Sequence, residues 1–403
     1  MKKTPPIPCA RHLAGLFFLG LIVFWSVGCN HCGNETKPNT GVAGDDGLDD
    51  IVSYIRAQYD LPAMATLLIH DGQLIEKSAV GKRSVDADTP VTSGDQWHIG
   101  SNTKSMTATL ALLLVKEGLI GWDTTLGEMF PDLIGVMRPE YENVRLDMLL
   151  SHTSGLPIEL PNYSTYYDDH RPLYVQRRAF VEDLLQLPSK SGPGQLDYSN
   201  AGYIVAGAML EQATGLSWEA LIQACLFQPL AMTTAGFGAP DTLGRLGQPL
   251  GHSESLFGKW VPVDPADGQT ADNAPMLGPA GTVHAALDDM AAYLTLHLSY
   301  LRGQSVAGFP QAGDAEKLYE PYPGTHYALG WEVLSDKVIL HNGSNTFWYS
   351  VMLVDGEKNT AFFAAVNAAD LDTGANSRAI SAVDDLLIEL ALRADAAFGS
   401  ESL

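Results

Sequence analysis

The sequence has few cysteines and few positively charged residues for its length. Only four of its 403 residues are cysteine, with no repeated spacing, which excludes a disulfide framework and a zinc ribbon. Its 24 lysine and arginine residues face 47 acidic residues, for a formal net charge of −23. Because nucleic-acid binding needs clustered positive charge, this composition excludes a nucleic-acid partner. A hydrophobic content of 46% indicates a globular chain with a large core.

Several enzyme motifs are also absent from the sequence. The chain lacks G-x-S-x-G, the nucleophile turn of α/β-hydrolases, and it lacks H-E-x-x-H and the phosphate-binding pattern G-x-x-x-x-G-K-[ST]. His98, His284 and His326 have no partner at the spacing of metal ligands. The sequence therefore predicts neither a metal nor a cofactor.

The N-terminus resembles an export signal. Three basic residues precede residues 13–28, which carry no charge and are too few to span a bilayer as a helix. Because Cys29 follows Val-Gly, as in a bacterial lipoprotein processing site, we predict a signal peptide over residues 1–28 and lipidation of Cys29. Ordinary cleavage and an uncleaved anchor are the alternatives. Polar residues 29–46 favour a flexible tether, so we expect an exported, lipid-anchored protein of the bacterial cell envelope.

Residues 47–398 mix helical and strand patterns and are expected to form a single domain. Apolar residues at helical spacing predict helices over 47–59, 101–117, 202–214, 218–227 and 378–397, and a turn at 278–282 that leads into a helix through Leu298. Asp71-Gly72 predicts a hairpin between strands 63–70 and 73–80, and further strands are expected at 327–334, 337–341, 348–354 and 360–368. This order predicts an α+β fold with an antiparallel sheet flanked by helices. The lobe that contains the sheet is expected to come from about 47–100 and 325–398. A mainly helical lobe, about 101–324, is inserted between them.

Ser101 and Lys104 form the first candidate site. They lie three residues apart at the predicted start of a helix, so the hydroxyl and the amine share one face. A neighbouring neutral lysine or tyrosine phenolate can take the proton of a serine, and a helix N-terminus favours the developing negative charge. An isolated S-x-x-K pattern occurs by chance about once in a chain of this size, so this one needs further support.

Two later patterns supply that support. Tyr198-Ser199-Asn200 follows a Pro-Gly turn, and His341-Asn342-Gly343 ends a predicted strand just before Ser344. In this order, S-x-x-K, Y-x-N and H-x-G resemble the serine β-lactamase and penicillin-binding-protein family. The Y-x-N form is similar to that of class C β-lactamases and D-alanyl-D-alanine carboxypeptidases. The phrases WHIGSNTKSMTA and DYSNAGYIVAGAMLE also resemble this family, so the resemblance covers about residues 47–395.

This resemblance implies a β-lactamase/transpeptidase-like fold and a role for each motif residue. Ser101 would attack a carbonyl group, and Lys104 and Tyr198 would share the work of general base and general acid. Asn200 would orient Lys104 and the substrate amide. The backbone N–H groups of Ser101 and Ser344 would form the oxyanion hole.

The H-x-G motif, His341 to Gly343, would lie beside the substrate. At the position of His341 the β-lactamases of the family carry a lysine, a permanent cation that attracts the substrate carboxylate. A histidine with a pKa near 6.5 is mostly neutral at pH 7, so this difference favours peptidase, amidase or esterase chemistry over efficient β-lactamase activity.

Other residues near these motifs have a structural or an open interpretation. His152, within the phrase LLSHTSGLP, is expected to be structural. The tyrosines between residues 163 and 174 either bind substrate or cover the core.

The sequence therefore predicts a serine hydrolase that cleaves amide or ester bonds of a small molecule or peptide through an acyl-Ser101 intermediate. Among the activities of such a hydrolase, a D-Ala-D-Ala carboxypeptidase-like or β-lactamase-like activity is the leading prediction. The alternatives are a carboxylesterase on the same fold and a non-catalytic penicillin-binding or peptidoglycan-binding module. The sequence decides neither the oligomeric state nor which of Lys104 and Tyr198 is the general base.

Overall fold

The structure is a computed structural model, which describes residues 36–157, 166–167, 169–240, 246–265, 271–371 and 377–399. The predicted signal peptide (1–28), Cys29, the beginning of the predicted tether and Tyr163 lie outside these residues. None of the helices in the described ranges combines the length and the apolar composition that a bilayer crossing requires.

Helices and short strands alternate along the described chain. The strands are β1 (Ala63–His70), β2 (Gln73–Gly81), β3 (Trp97–His98), β4 (Gly236–Phe237), β5 (Gly251–Glu254), β6 (Trp260–Val263), β7 (Val283–Ala285), β8 (Glu332–Ser335), β9 (Val338–Ser344), β10 (Tyr349–Asp355) and β11 (Thr360–Val366). The helices are α1 (Leu48–Gln58), α2 (Thr103–Lys116), α3 (Leu126–Met129), α4 (Leu146–Leu150), α5 (Leu173–Leu184), α6 (Asn200–Thr214), α7 (Trp218–Ile222), α8 (Gly278–Gly281), α9 (Leu287–Leu301), α10 (Ala312–Ala315) and α11 (Arg378–Phe398).

A six-stranded antiparallel sheet with the order β2-β1-β11-β10-β9-β8 joins the two ends of the chain. The hairpin predicted at Asp71-Gly72 is confirmed, and both turn residues have positive φ, which suits a tight turn between antiparallel strands. The first strand then pairs with the last, with Met64 opposite Val366. The predicted α+β fold with an antiparallel sheet is therefore confirmed.

Helices cover both faces of this sheet. Along β1, Met64 and Leu68 belong to a core cluster with α1 and α11, whereas Leu67 and Ile69 belong to the larger cluster on the opposite face. Successive side chains of a strand point to opposite faces, so β1 must be apolar at nearly every position. The opposite face is covered by α9, which contacts β1, β10 and β11 although the sequence assigned its residues to the helical lobe.

Several element boundaries differ from the sequence prediction, and residues 283–285, expected to enter a helix directly, first form β7. The strand expected at 327–334 begins only at Glu332, because Gly330 has positive φ (+78°) where the chain passes α2. A Cβ atom at Gly330 would lie 2.6 Å from the Cα of Ser105. The strand expected at 337–341 continues to Ser344, and the helix expected at 218–227 ends as a π turn, Gln223–Phe227.

The described end of the segment predicted as a flexible tether, residues 36–46, is paired with α11. Thr40 donates a hydrogen bond to Glu389 on α11 (2.8 Å), and Lys37 forms an ion pair with the same carboxylate. The buried Arg393 donates to the Thr40 carbonyl (2.5 Å) and to the Asp45 carboxylate (2.7 Å). The polar composition of this segment reflects specific pairing with α11, since polar residues that find charged partners need no apolar period.

Candidate active site

Ser101 lies where the chain enters α2, a helix of the inserted lobe that is buried over most of its length. It belongs to a 3₁₀ turn, Gly100–Asn102, that leads directly into α2, whose residues are buried from Thr103 to Leu112. The sequence predicted a helix that begins at Ser101, and in the structure the α-helix begins two residues later, at Thr103. Ser101 is half-buried and Lys104 is fully buried, so the hydroxyl faces the cleft and the amine lies beneath it.

The Lys104 amine contacts three oxygen atoms. Its Nζ lies 2.9 Å from Ser101 Oγ, 2.8 Å from Asn200 Oδ1 and 2.7 Å from the Ala280 carbonyl oxygen. Burial lowers the pKa of Lys104 well below its usual value, which favours the neutral amine. A neutral amine has two hydrogens, and the two acceptor oxygens, from Asn200 and Ala280, take both. The lone pair then faces Ser101, so this geometry lets Lys104 accept the hydroxyl proton.

Tyr198 approaches the same hydroxyl from the segment just before α6. Its side chain interacts with that of Ser101, and its ring centroid lies 4.9 Å from Lys104 Nζ. Burial raises the pKa of Tyr198, so the phenol keeps its proton at neutral pH. The pKa values of Lys104 and Tyr198 therefore move in opposite directions, which makes the lysine the better base and the tyrosine the better proton donor.

The His341-Asn342-Gly343 motif lies against the turn that carries Ser101, and a glycine on each side allows this contact. A Cβ atom at Gly343 would lie 2.6 Å from the Ser101 nitrogen, and a Cβ atom at Gly100 would lie 2.3 Å from the Ser344 nitrogen. Glycine is required at both positions because any side chain would displace one backbone from the other. The pairing of β8 with β9 stops at Leu340, so the edge of β9 that carries Ser344 has no β8 partner in the described chain. The amides of Ser101 and Ser344 are thus neighbours at an open strand edge.

His341 is buried close to Lys104 and bonded within the protein. Its ring is 2% exposed, with Nε2 2.8 Å from the Tyr327 hydroxyl and Nδ1 2.5 Å from the Asn342 carbonyl oxygen. Burial, with the nearby Lys104, lowers the pKa of His341 to about 3. The sequence expectation of a mostly neutral histidine agrees with this geometry, and both ring nitrogens are already occupied within the protein.

The structure adds residues that the motifs alone did not identify. His152 packs against the Tyr198 ring at 4.1 Å between centroids, and its Nδ1 accepts the Ser199 N–H at 3.0 Å. It thus holds the Y-x-N segment, which agrees with its expected structural role. The Ala280 carbonyl, at the end of α8, is a further partner of Lys104, and Tyr327 is the partner of His341. A backbone acceptor leaves no side-chain signal, so only the fold reveals Ala280.

The tyrosines around residues 163–174 are only partly described. Tyr166 is buried against Phe180, with its hydroxyl 3.4 Å from Asp183, and therefore covers the core. Tyr174 is 52% exposed on α5. Within the described residues, no group of three or more His, Cys, Asp or Glu side chains is arranged to hold a metal ion.

The fold and this geometry define a class of protein: an antiparallel sheet with a helical lobe and a serine, lysine and tyrosine gathered at the start of a buried helix. The chain belongs to the Beta-lactamase family, whose sequence profile matches residues 48–385. A curated relative is "Protein flp" from Staphylococcus aureus (strain N315), 21% identical over 322 residues. That alignment covers 79% of this chain and 62% of the relative, so the chain spans less than two thirds of its length.

Solved structures share the fold. The octameric penicillin-binding protein homologue from Pyrococcus abyssi superposes with a TM-score of 0.66 and 23% identity, covering 86% of this chain and 78% of that one. EstCE1, described as a hydrolase with promiscuous acyltransferase activity, also gives a TM-score of 0.66, with 18% identity over 85% of this chain and 98% of its own. At these identities the comparison establishes the fold.

Proposed function

We propose that this protein is a serine hydrolase that cleaves ester or amide bonds through an acyl-Ser101 intermediate. The main support for this proposal is the position of Lys104 Nζ, 2.9 Å from Ser101 Oγ. Its two other contacts are with acceptor oxygens of Asn200 and Ala280. Ser101 Oγ bonds to the carbonyl carbon while its proton passes to Lys104. The N–H groups of Ser101 and Ser344 donate to the oxyanion of the tetrahedral intermediate, an interaction whose loss typically costs about 2.7–4 kcal/mol.

The second half of the reaction uses the same groups. When the intermediate collapses, the bond to the leaving alcohol or amine breaks, and the leaving atom takes a proton either from the protonated Lys104 or from Tyr198, which Lys104 then reprotonates. Water next attacks the acyl carbon and gives a proton to the neutral Lys104. Lys104 passes this proton to Ser101 Oγ as the acyl–oxygen bond breaks, so the acid leaves and Ser101, Lys104 and Tyr198 regain their starting states. Asn200 holds the amine in place throughout. Membership of the Beta-lactamase family supports this chemistry.

Neutral esters are the substrates that the site favours. His341 is buried, neutral and occupied on both nitrogens, so it offers no charge to a substrate carboxylate. Lys104, whose amine contacts Ser101 and Asn200, is held neutral by its burial and therefore offers no charge either. We therefore rank carboxylesterase activity first and D-Ala-D-Ala carboxypeptidase activity second. The second candidate is supported by the fold shared with a penicillin-binding protein homologue.

The first experiment tests for the nucleophile. The purified full-length protein is incubated with a fluorophosphonate and, separately, with a fluorescent penicillin, and its intact mass is measured. We expect the wild type and the control Ser299→Ala to gain the mass of the fluorophosphonate adduct, and Ser101→Ala to gain none. A folded wild type that forms no adduct with either probe would reject the acyl-enzyme and leave the non-catalytic binding module. An adduct that persists on Ser101→Ala would place the nucleophile elsewhere.

Substrate class is then decided by rates. We expect kcat/KM for p-nitrophenyl butyrate to exceed that for diacetyl-Lys-D-Ala-D-Ala by at least about tenfold, since the peptide brings a carboxylate for which this site has no cation. The reverse ranking would make the peptidase the better description.

We also propose export and lipid attachment at Cys29. The uncharged stretch before Val-Gly-Cys supports this proposal. In a bacterial host fed with labelled palmitate, we expect label in the wild-type protein and none in Cys29→Ala. Equal labelling of the two would reject lipidation at this residue.

A further inference from the structure

Asp272 lies beside the two segments that carry the amides of Ser101 and Ser344, and the reaction above does not use it. Its side chain is 12% exposed. One carboxylate oxygen, Oδ1, receives the Asn345 side-chain amide at 2.8 Å and the backbone N–H of Asn273 at 2.7 Å. His98 Nε2 lies 3.1 Å from the same oxygen, off the ideal hydrogen-bond axis.

Through His98, the carboxylate reaches the turn that carries Ser101. The backbone N–H of Gly100 donates to His98 Nδ1 at 3.2 Å, so the ring proton lies on Nε2 and faces Asp272. The His98 ring is fully buried on β3, which pairs with β7. With Nδ1 bonded to the Gly100 N–H and Nε2 facing the Asp272 carboxylate, the buried ring has a defined orientation and holds the Gly100 amide in turn.

Through Asn345, the same carboxylate reaches the end of β9. Asn345 directly follows Ser344, is 3% exposed, and accepts the Phe347 N–H with its side-chain oxygen, Oδ1, at 3.2 Å. This holds the turn that follows β9. One anionic oxygen therefore connects two segments more than 240 residues apart, each next to one of the two amides.

A neighbour extends this connection to Lys104. Asn273 donates its side-chain amide to the Gly281 carbonyl at 2.8 Å. Gly281 follows Ala280, whose carbonyl oxygen holds the Lys104 amine. Burial alone would raise the pKa of Asp272, but the contacts with His98 and Asn345 outweigh burial and lower it, so the carboxylate is ionised at neutral pH. Charge-assisted bonds of this kind are stronger than bonds between neutral groups.

We propose that Asp272 is a positioning residue that holds the amides of Ser101 and Ser344 at the separation an oxyanion requires. This inference rests on the proposed acyl-Ser101 chemistry and adds a residue outside the three motifs. Since displacements of about 1 Å cost rates of the order of 10²-fold, a carboxylate that never touches substrate can control the chemical step.

The experiment compares variants in the hydrolysis of p-nitrophenyl butyrate. We expect Asp272→Ala to lower kcat about 10- to 100-fold with KM changed less than about threefold, and fluorophosphonate inactivation to slow by the same factor as kcat. Asp272→Asn keeps an acceptor oxygen for Asn345 and His98, so it should retain kcat within about threefold of wild type. Asn345→Ala should also lower kcat. In the double variant Asp272→Ala/Asn345→Ala, the decrease in kcat should be no larger than in Asp272→Ala alone.

The matched control is Asp289→Ala. Asp289 is a 4% exposed carboxylate that accepts the N–H groups of Thr233 and Thr234 at 3.1 and 2.8 Å, away from the site. We expect it to lower the melting temperature without the kcat loss. Wild-type kcat in folded Asp272→Ala, an equal kcat loss in Asp289→Ala, or additive losses in the double variant would each overturn the inference. If the wild type forms no adduct and turns over no ester, the proposed function itself is rejected. If the wild type is active and Asp272→Ala is equally active, only the inference about Asp272 is rejected.

Discussion

Two ionisable side chains decide how the candidate site works at the scale of single residues. Lys104 and Tyr198 both interact with the Ser101 hydroxyl, and burial acts on both. Because burial disfavours the charged form of each group, it removes the proton from the lysine and keeps the proton on the tyrosine. One desolvated environment therefore prepares a base and an acid side by side, a choice that the sequence left open.

The dependence of rate on pH follows from these shifts. The base must be neutral, so we expect kcat/KM for an ester to rise about tenfold per pH unit below the lowered pKa of Lys104. Above that pKa the rate should stay flat until Tyr198 ionises, beyond its usual pKa of about 10. The measurement is a pH–rate profile of the wild type.

His341 provides the control for this profile. Since burial lowers its pKa to about 3, His341→Gln should leave the position of the inflection unchanged, whatever it does to the rate. An inflection near pH 6.5 that disappears in His341→Gln would contradict the assignment of Lys104 as the base.

At the scale of secondary-structure elements, the site depends on how closely β9 passes the turn before α2. The carbonyl oxygen of Ile99 would lie 2.0 Å from a Cβ atom at Gly343. The facing atoms are backbone, which cannot rotate away as a side chain can. The H-x-G motif therefore needs its glycine for contact between two elements, independent of any contact with substrate.

A methyl group at this contact should separate the two elements. We expect Gly343→Ala to reduce kcat/KM by about 10²-fold or more and to destabilise the fold by about 1–3 kcal/mol. The measurements are ester hydrolysis and urea unfolding.

Gly313→Ala is the matched control for this change. Gly313 lies in α10, and a Cβ atom there would meet no atom within 4 Å. Alanine in a helix is favoured over glycine by roughly 0.5–1 kcal/mol, so stability should rise slightly and activity should not change. If Gly343→Ala behaved like Gly313→Ala, the close approach described here would be wrong.

The sequence predicted most elements but only part of the site. Strand and helix periods identified the hairpin around Asp71-Gly72 and the helix that follows Ser101, because those signals are local. The contact of Ala280 with Lys104 could not be predicted, since a backbone carbonyl has no residue type. The orientation of His341 toward Tyr327 was equally hidden, since the pattern of a strand does not say which partner its buried face meets.

At the scale of the whole molecule, buried histidines of the described chain link stability to pH. His152, His252, His297 and His341 are each at most 2% exposed. Burial lowers their pKa values, to about 4 for His252, to about 3 for His297 and His341, and well below the usual value for His152. They are neutral in the folded protein at pH values where the unfolded chain, with a pKa near 6.5, binds protons.

The unfolded state therefore binds more protons below pH 6.5, and stability should fall as the pH falls toward 4. Each histidine contributes up to about 1.4 kcal/mol per pH unit in this window. We expect urea midpoints to drop more steeply between pH 6.5 and 4.5 than between pH 8 and 7, where the neutral Lys104 is the group that takes up a proton on unfolding. A control, His252→Gln, should reduce the slope by about one proton. A midpoint that is constant down to pH 4.5 would show that these rings are protonated in the fold.

The pairing of the first strand with the last has a consequence for synthesis of the chain. Met64 lies opposite Val366, 302 residues later. At 5–20 residues per second, a ribosome needs about 15–60 s to make the partner of β1 after β1 has emerged. During that time the edge of β1 that pairs with β11 has no partner strand, so the sheet cannot close before the C-terminal strands are made. In a nascent chain of this protein, the edge of β1 therefore stays exposed until the C-terminal strands are made. An exposed apolar strand edge of this kind is what a chaperone would bind.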